Sequence, residues 1–291
     1  MESKRLVLFD GSNIIKRGYY AVPAMSSDDG TPTNAVKGAI NIVGYLIKNL
    51  SPSHAAFVLD HPSKTTFRHL MYPKYKANRP TQQEVDAALR PQRTIIKSLL
   101  KACGIRVICK KGIEADDIIG TLAHMDGPFD KRLIVSQDKD FAQLLCEGVY
   151  LLKYNHSTKK YTSVNMRNCQ EHFSVPHDRI VEYLMLLGDT VDNIPGVKGV
   201  GNTTAQKILL SGPLKDYKSS GVNPSYMRYI DEAKSQFKLA RKLITIKKDV
   251  IDIAPASLKR RPPDFDRIAE ICDSIQARGL HANLLKYLNN K

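Results

Sequence analysis

The sequence predicts an α/β fold, a mostly parallel sheet flanked by helices, joined to a second lobe that is all helical. Two observations carry this. Short, β-rich apolar runs alternate with helical periodicity through the first half of the chain, the pattern of strand–helix–strand crossovers. Beyond about residue 176 the strand signals stop and only helical ones remain.

The elements follow in order. Residues 5–10 read as a strand because the apolar run is too short for a helix and ends on Asp10. Residues 35–49 read as a helix, with Ala35, Ile42, Val43, Leu46 and Ile47 on its apolar side. By the same arguments 55–60 is a strand, 93–102 a helix, 105–110 a strand, 115–124 a helix and 132–136 a strand. Residues 82–89 read as a short helix, and Pro91 suits the first turn of the next one. Residues 149–154 add a strand before a turn at 155–160, and 179–187, 203–210, 226–233 and 236–246 are helical. The expected division is an α/β core over 1–176, with an excursion at about 65–101, and a helical lobe over 177–291.

Bulk properties narrow the function. The 291 residues carry a net charge of +15, and residues 194–291 alone hold 18 Lys and Arg against nine Asp and Glu. Such a surface suits a polyanion, although a basic solvated surface is the plainer alternative. The five cysteines form no CxxC pair and the eight histidines show no ligand spacing, so zinc and disulfides are not expected and a reducing, cytoplasmic setting is. No apolar run approaches the roughly 18 residues of a membrane helix, and the amino-terminal run is too short for a signal peptide.

Against this cationic background stand nine carboxylates in five clusters: Asp10; Asp60; Glu114, Asp116 and Asp117; Asp138 and Asp140; Asp189 and Asp192. Three clusters follow the ends of predicted strands, the edge at which open α/β sheets bind ligands. Singly, an Asp after a strand is often a turn former, and acids at 114–117 suit the positive end of a helix. Together, so many like charges require cations. All-oxygen donors favour Mg²⁺ or Mn²⁺, and two ions would suit phosphoryl transfer.

Two further segments point to nucleic acid. Residues 65–79 interleave Arg68, Lys74, Lys76 and Arg79 with Phe67, Tyr72 and Tyr75, offering charge for phosphates and ring faces for bases. A solvated loop is the alternative. Residues 194–209 carry Gly196, Gly199 and Gly201 between two helical stretches, with Asn202 or Thr203 placed to cap the second. Backbone amides of such a turn can face an anion without reading base sequence.

These motifs in order resemble the 5′-nuclease superfamily: flap endonucleases, 5′–3′ exonucleases and the amino-terminal domain of bacterial DNA polymerase I. The resemblance runs from Leu6 to about Val250. It rests on Val7-Leu-Phe-Asp-Gly-Ser12, Gly30-Thr-Pro-Thr33, Phe67-Arg68, Tyr75-Lys76 with Arg79, Gly112-Ile-Glu-Ala-Asp-Asp117, Asp138-Lys-Asp140, Gly188-Asp-Thr-Val-Asp-Asn193 and the glycine-rich turn. It implies a Rossmann-like (PIN-like) core, a helical arch at 65–101 and a helix–hairpin–helix lobe. Asp10, Asp60 and Glu114 would hold one metal, Asp116 would lie between the ions, and Asp138, Asp140 and Asp192 would serve the other, with Asp117 and Asp189 behind them. Lys76 would act on the scissile phosphate, Arg68 and Arg79 would bind phosphates, and Tyr75 and Phe67 would stack on bases. Gly196, Lys198, Gly199, Gly201 and Lys207 would meet duplex DNA, and the carbonyls of Val197 and Val200 would hold K⁺. The implied activity is that of a monomeric, stand-alone 5′–3′ exonuclease and flap endonuclease on branched, flapped or 5′-ended DNA or RNA–DNA hybrid. Two rival readings are a PIN-type ribonuclease, against which the arch and hairpin argue, and a non-catalytic DNA-binding protein, against which the full acid set argues.

Overall fold

The computed structural model describes residues 4–63, 65–79, 83–219 and 223–289. Its elements are β1 (Arg5–Asp10), α1 (Gly11–Ala21), α2 (Asn34–Leu50), β2 (His54–Val58), α3 (Phe67–Met71), α4 (Gln83–Ala102), β3 (Arg106–Ile108), α5 (Ala115–His124), β4 (Lys131–Val135), β5 (Val149–Asn155), β6 (Lys160–Val164), α6 (Cys169–Phe173), α7 (Ile180–Leu187), α8 (Asn202–Leu210), α9 (Pro224–Ile244), α10 (Phe265–Ser274) and α11 (Arg278–Leu288). They gather into two compact units, Met1–Pro62 with Thr81–Gln137 and Lys248–Lys291, and Ser63–Pro80 with Asp138–Lys247.

The first unit is the α/β layer. Its strands run in the order β3-β2-β1-β4, all parallel. Leu6 to Phe9 and Ala55 to Val58 are 0% exposed, the mark of strands covered on both faces. Asp10 pairs in register with Val58, and Phe9 with both Phe57 and Val135, so the carboxyl ends of β1, β2 and β4 are level. Helices α1 and α2 pack closely because Gly18 meets Gly38, where a Cβ on either would overlap the other's backbone.

The spatial grouping follows a different line from a cut at 176/177. Residues 248–291 return to the first unit: Arg260 N–H bonds Ser53 O at 3.0 Å, Asp264 N–H bonds Ala102 O at 2.8 Å, and Asn283 on α11 reaches Asn41 on α2 at 3.1 Å. The second unit takes residues 63–80, the β5–β6 antiparallel hairpin and helices α6–α9.

Three helix expectations need correction. Helix α1 was not expected; its amphipathic signal, Ile14 and Ile15 behind an Asp10 cap, is short and interrupted by glycine. The helix expected at 93–102 is one continuous helix, α4, with Pro91 inside it. Proline removes a bond to the carbonyl four residues back, but Pro91 is exposed and the neighbouring Gln92 amide donates to Ala88 O at 3.1 Å. Gln92 is itself 0% exposed, and its side-chain oxygen accepts from Ala35 N–H at 2.7 Å at the start of α2. The two helices expected at 226–233 and 236–246 are likewise one, α9. Residue 82, the expected start of the helix before Pro91, lies outside the described residues.

The excursion expected at 65–101 divides between the two units. Leu89, Ile96, Leu99 and Leu100 are buried in the first unit, so that half of α4 is core helix. Residues 63–80 belong to the second unit. No helix among the described residues is long and apolar enough to cross a membrane.

Candidate active site

The first unit holds five of the nine expected acids. Asp10 ends β1 and starts α1: one carboxylate oxygen accepts from Asn13 N–H at 3.1 Å, the other from the Ser136 hydroxyl at 2.7 Å. Asp60 lies two residues past β2 and accepts from the Ser12 hydroxyl at 2.8 Å and from Ala115 N–H at 2.9 Å, fixing it to the start of α5. Glu114 sits at the N-cap of α5, and Asp116 and Asp117 in its first turn, where the helix dipole favours acids. Asp10 and Glu114 are both 6% exposed, and Asp117 is fully buried. Ser12 and Ser136 are the residues that sequence reasoning missed. Their only signal is a hydroxyl one or two positions beyond a strand-end acid or at a strand end.

The second unit holds the other four. Asp138 caps the 3₁₀ turn Lys139–Leu144, accepting from Asp140 N–H at 2.9 Å. Asp189 accepts from Val191 N–H at 2.8 Å and Asp192 N–H at 3.0 Å, and pairs as a one-residue bridge with Ile194. Asp192 is taken by cations: Arg79 donates from Nε at 2.9 Å and Nη2 at 2.6 Å to its Oδ1, and Lys76 Nζ lies 3.9 Å from its Oδ2.

Asp140 shows that this set is crowded. Burial, and then the charges of Asp138, Asp189 and Asp192, push its carboxyl up to about 7 against a pull from Lys139. Its Oδ1 is buried with no hydrogen-bond partner. An all-oxygen set with an orphaned buried oxygen and an unfavourably placed negative charge fits a hard divalent cation. Among the described residues no three His, Cys, Asp or Glu side chains already converge as a metal set. Asp10, Asp60, Asp138, Asp189 and Asp192 are held instead by local hydroxyls, amides or cations.

The raised Asp140 carboxyl makes the protein less stable as pH rises. A carboxyl whose folded pKa exceeds its unfolded value contributes stability below about pH 4 that is lost as pH rises to about 7. In metal-free protein, Asp140→Asn should therefore raise Tm at pH 8 by several degrees and by little at pH 4, as read by thermal melts in chelator. An equal shift at both values would count against the crowding.

Two expectations for the basic segment are corrected. Arg68 is 2% exposed; its guanidinium donates to Leu243 O at 2.8 Å and Thr245 O at 2.9 Å, tying α3 to the end of α9 rather than facing a phosphate. Tyr75 is 5% exposed, edge-on to His69 with its hydroxyl 3.4 Å from Asp192, so its ring is not offered to a base. Phe67 is half-buried beneath Lys247 Nζ at 3.9 Å. Lys76 and Arg79 both stand on Asp192.

The helix–hairpin–helix is present as α7, a turn and α8 within the second unit. Gly188 has φ +67, and a Cβ on Gly196 would strike Leu187 O, so the two ends of the turn close only with glycine at both. Gly201, not Asn202 or Thr203, occupies the N-cap of α8, and no side chain caps it; the Asn202 side chain accepts from Tyr183 instead, at 3.1 Å. Lys198, Gly199, Gly201 and Lys207 are exposed, while Val197 and Val200 turn their side chains inward at 5% and 7% exposure. The Val197 carbonyl accepts from Val200 N–H at 3.1 Å.

Comparison with known proteins agrees with this fold. Residues 5–174 match the model for the 5′-3′ exonuclease N-terminal resolvase-like domain, and 175–266 that for the 5′-3′ exonuclease C-terminal SAM fold. A 5′-3′ exonuclease of Aquifex aeolicus is 32% identical over 95% of this chain and 94% of its own. A DNA polymerase I of Pseudomonas aeruginosa is 33% identical over 98% of this chain, which spans only 32% of that relative. A bacteriophage T5 flap endonuclease, solved as a pseudo-enzyme-product complex with DNA and metal ions, shares the fold at TM-score 0.63 and 20% identity, covering 99% of this chain and all of that one.

Proposed function

This chain belongs to the 5′-3′ exonuclease family, and from that premise we propose a divalent-metal-dependent, structure-specific 5′ nuclease that hydrolyses phosphodiesters of flapped, branched or 5′-ended DNA. The observation that carries the reading is the acid set, above all Asp140 with its orphaned oxygen and raised carboxyl. The T5 neighbour, with DNA and metal ions, supports it by fold.

The residues that would hold metal are Asp10, Asp60, Glu114 and Asp116 in the first unit and Asp138, Asp140 and Asp192 in the second, with Asp117 and Asp189 orienting their neighbours. Mg²⁺ or Mn²⁺, as two ions, would supply Lewis-acid activation of water and neutralisation of phosphate charge. The chain's own part is to orient those acids. Ser136 and Asn13 N–H fix Asp10; Ser12 and Ala115 N–H fix Asp60. Lys76 and Arg79 bring positive charge to the phosphodiester. Lys198, Lys207 and the amides of the Gly196–Gly201 turn bind duplex without reading sequence, with K⁺ on the Val197 and Val200 carbonyls. The products would be a 5′-phosphate and a 3′-hydroxyl, from a monomer acting in the cytoplasm on replication flaps, RNA primers and hybrids.

The test is a 5′-labelled flap substrate resolved at single-nucleotide length, with Mg²⁺ and with chelator. Short 5′ products and junction cuts should appear only with metal. Undiminished turnover in chelator, with no carried-over metal, sinks the metal reading.

A further inference from the structure

Within the second unit, residues 72–79 are fastened to the loop 189–194 by both side-chain and backbone bonds. Arg79 donates twice to Asp192 Oδ1, at 2.9 and 2.6 Å, and Lys76 Nζ and the Tyr75 hydroxyl approach Oδ2 at 3.9 and 3.4 Å. The backbone repeats the join: Lys76 N–H donates to Asp192 O at 3.0 Å, the Asn193 amide donates to Lys74 O at 2.8 Å, and the Asn78 amide donates to Asn193 Oδ1 at 3.0 Å. Every one of these bonds spans more than 110 residues of sequence and ends on Asp192 or its neighbour Asn193.

Two details make the join a poised one. Lys76 has φ +59 and Asn193 φ +56, left-handed backbone that a lysine keeps only while its surroundings hold it. The Arg79 side chain is 49% exposed and that of Asp192 16%, so the ion pair is reachable by water and competing ions rather than sealed in the core.

We propose that Arg79 and Lys76 act as built-in counter-cations that occupy Asp192 in the resting protein, so that divalent-ion binding at the Asp192 carboxylate and release of residues 72–79 are one coupled exchange. The inference rests on the reading of Asp192 as a metal ligand. The exchange also frees two cations for a phosphate at the moment a metal arrives. Without metal, the segment and its charges stay parked. Because coupling is reciprocal, whatever strengthens the parked state weakens metal binding, and the reverse.

The test needs no catalysis. Mn²⁺ binding to the full chain without DNA is followed by electron paramagnetic resonance, and backbone hydrogen exchange of residues 72–79 is measured on the same samples. In the unaltered protein, saturation with Mn²⁺ should speed exchange of the Lys76 and Arg79 amides. Arg79→Gln should bind Mn²⁺ about 5- to 10-fold more tightly, the low end of ordinary coupling. Asp192→Asn should leave the segment fast-exchanging with or without metal. Asn78→Ala, which touches no proposed ligand, should tighten Mn²⁺ in the same direction as Arg79→Gln and by less. Mn²⁺ that binds without altering exchange at 72–79, or an Arg79→Gln protein with unchanged affinity, overturns the exchange and leaves the metal reading standing. No Mn²⁺ binding in any of the proteins overturns both.

Discussion

Replacing Asp138 with alanine should abolish cleavage, by about a thousandfold or more in single-turnover rate, while flap DNA still binds in chelator. A thousandfold loss is about 4 kcal/mol of transition-state stabilisation, within what one inner metal ligand supplies. The structure sharpens the control. Asp138 also caps the turn Lys139–Leu144 through Asp140 N–H. Asparagine caps about as well as aspartate, so Asp138→Asn retains the turn and loses the charge. Both variants should be inactive, with the asparagine form melting no lower than the wild type, since it keeps the cap and relieves the charge crowding on Asp140. An active Asp138→Asn protein would reduce Asp138 to a cap.

Lys76→Ala should slow the chemical step by about a hundredfold or more, with substrate affinity changed by less than about tenfold. An ammonium acts on the phosphodiester as a point charge, so its loss belongs in the transition state rather than in ground-state binding. Lys76 sits at φ +59, a strain alanine shares, so the substitution removes the charge without a new backbone demand. Rapid-quench measurement at saturating enzyme separates the two effects. A variant that reacts at the wild-type rate once bound, but binds weakly, makes Lys76 a tether only.

Much of the first unit was legible in the sequence because its signals are local. A buried strand needs only a short apolar run, and β1, β2 and β4 announce themselves within five or six residues. The acids that follow β1 and β2, and those opening α5, were visible for the same reason. Proline misled at residue 91, where a local breaker was overruled by burial of Leu89, Gln92 and Ile96 around it. The split expected within 226–246 failed in the same way, since burial of Ile230, Ala233, Ala240 and Leu243 runs along one helix.

The sequence by itself determined the α/β class, the positions of strands β1 to β5, the nine carboxylates and the glycine turn, all written in spacings of a few residues. Tertiary structure alone decided which cations meet which partners. Arg68 and Arg79 look alike in sequence, yet one is buried on carbonyls 175 and 177 positions away and the other lies on Asp192 113 positions away. Residues 248–291 look like part of a helical lobe, yet backbone bonds to Ser53 and Ala102 return them to the sheet unit. A guanidinium is satisfied by whichever acceptors the fold brings within about 3 Å, and no local pattern records where those acceptors come from.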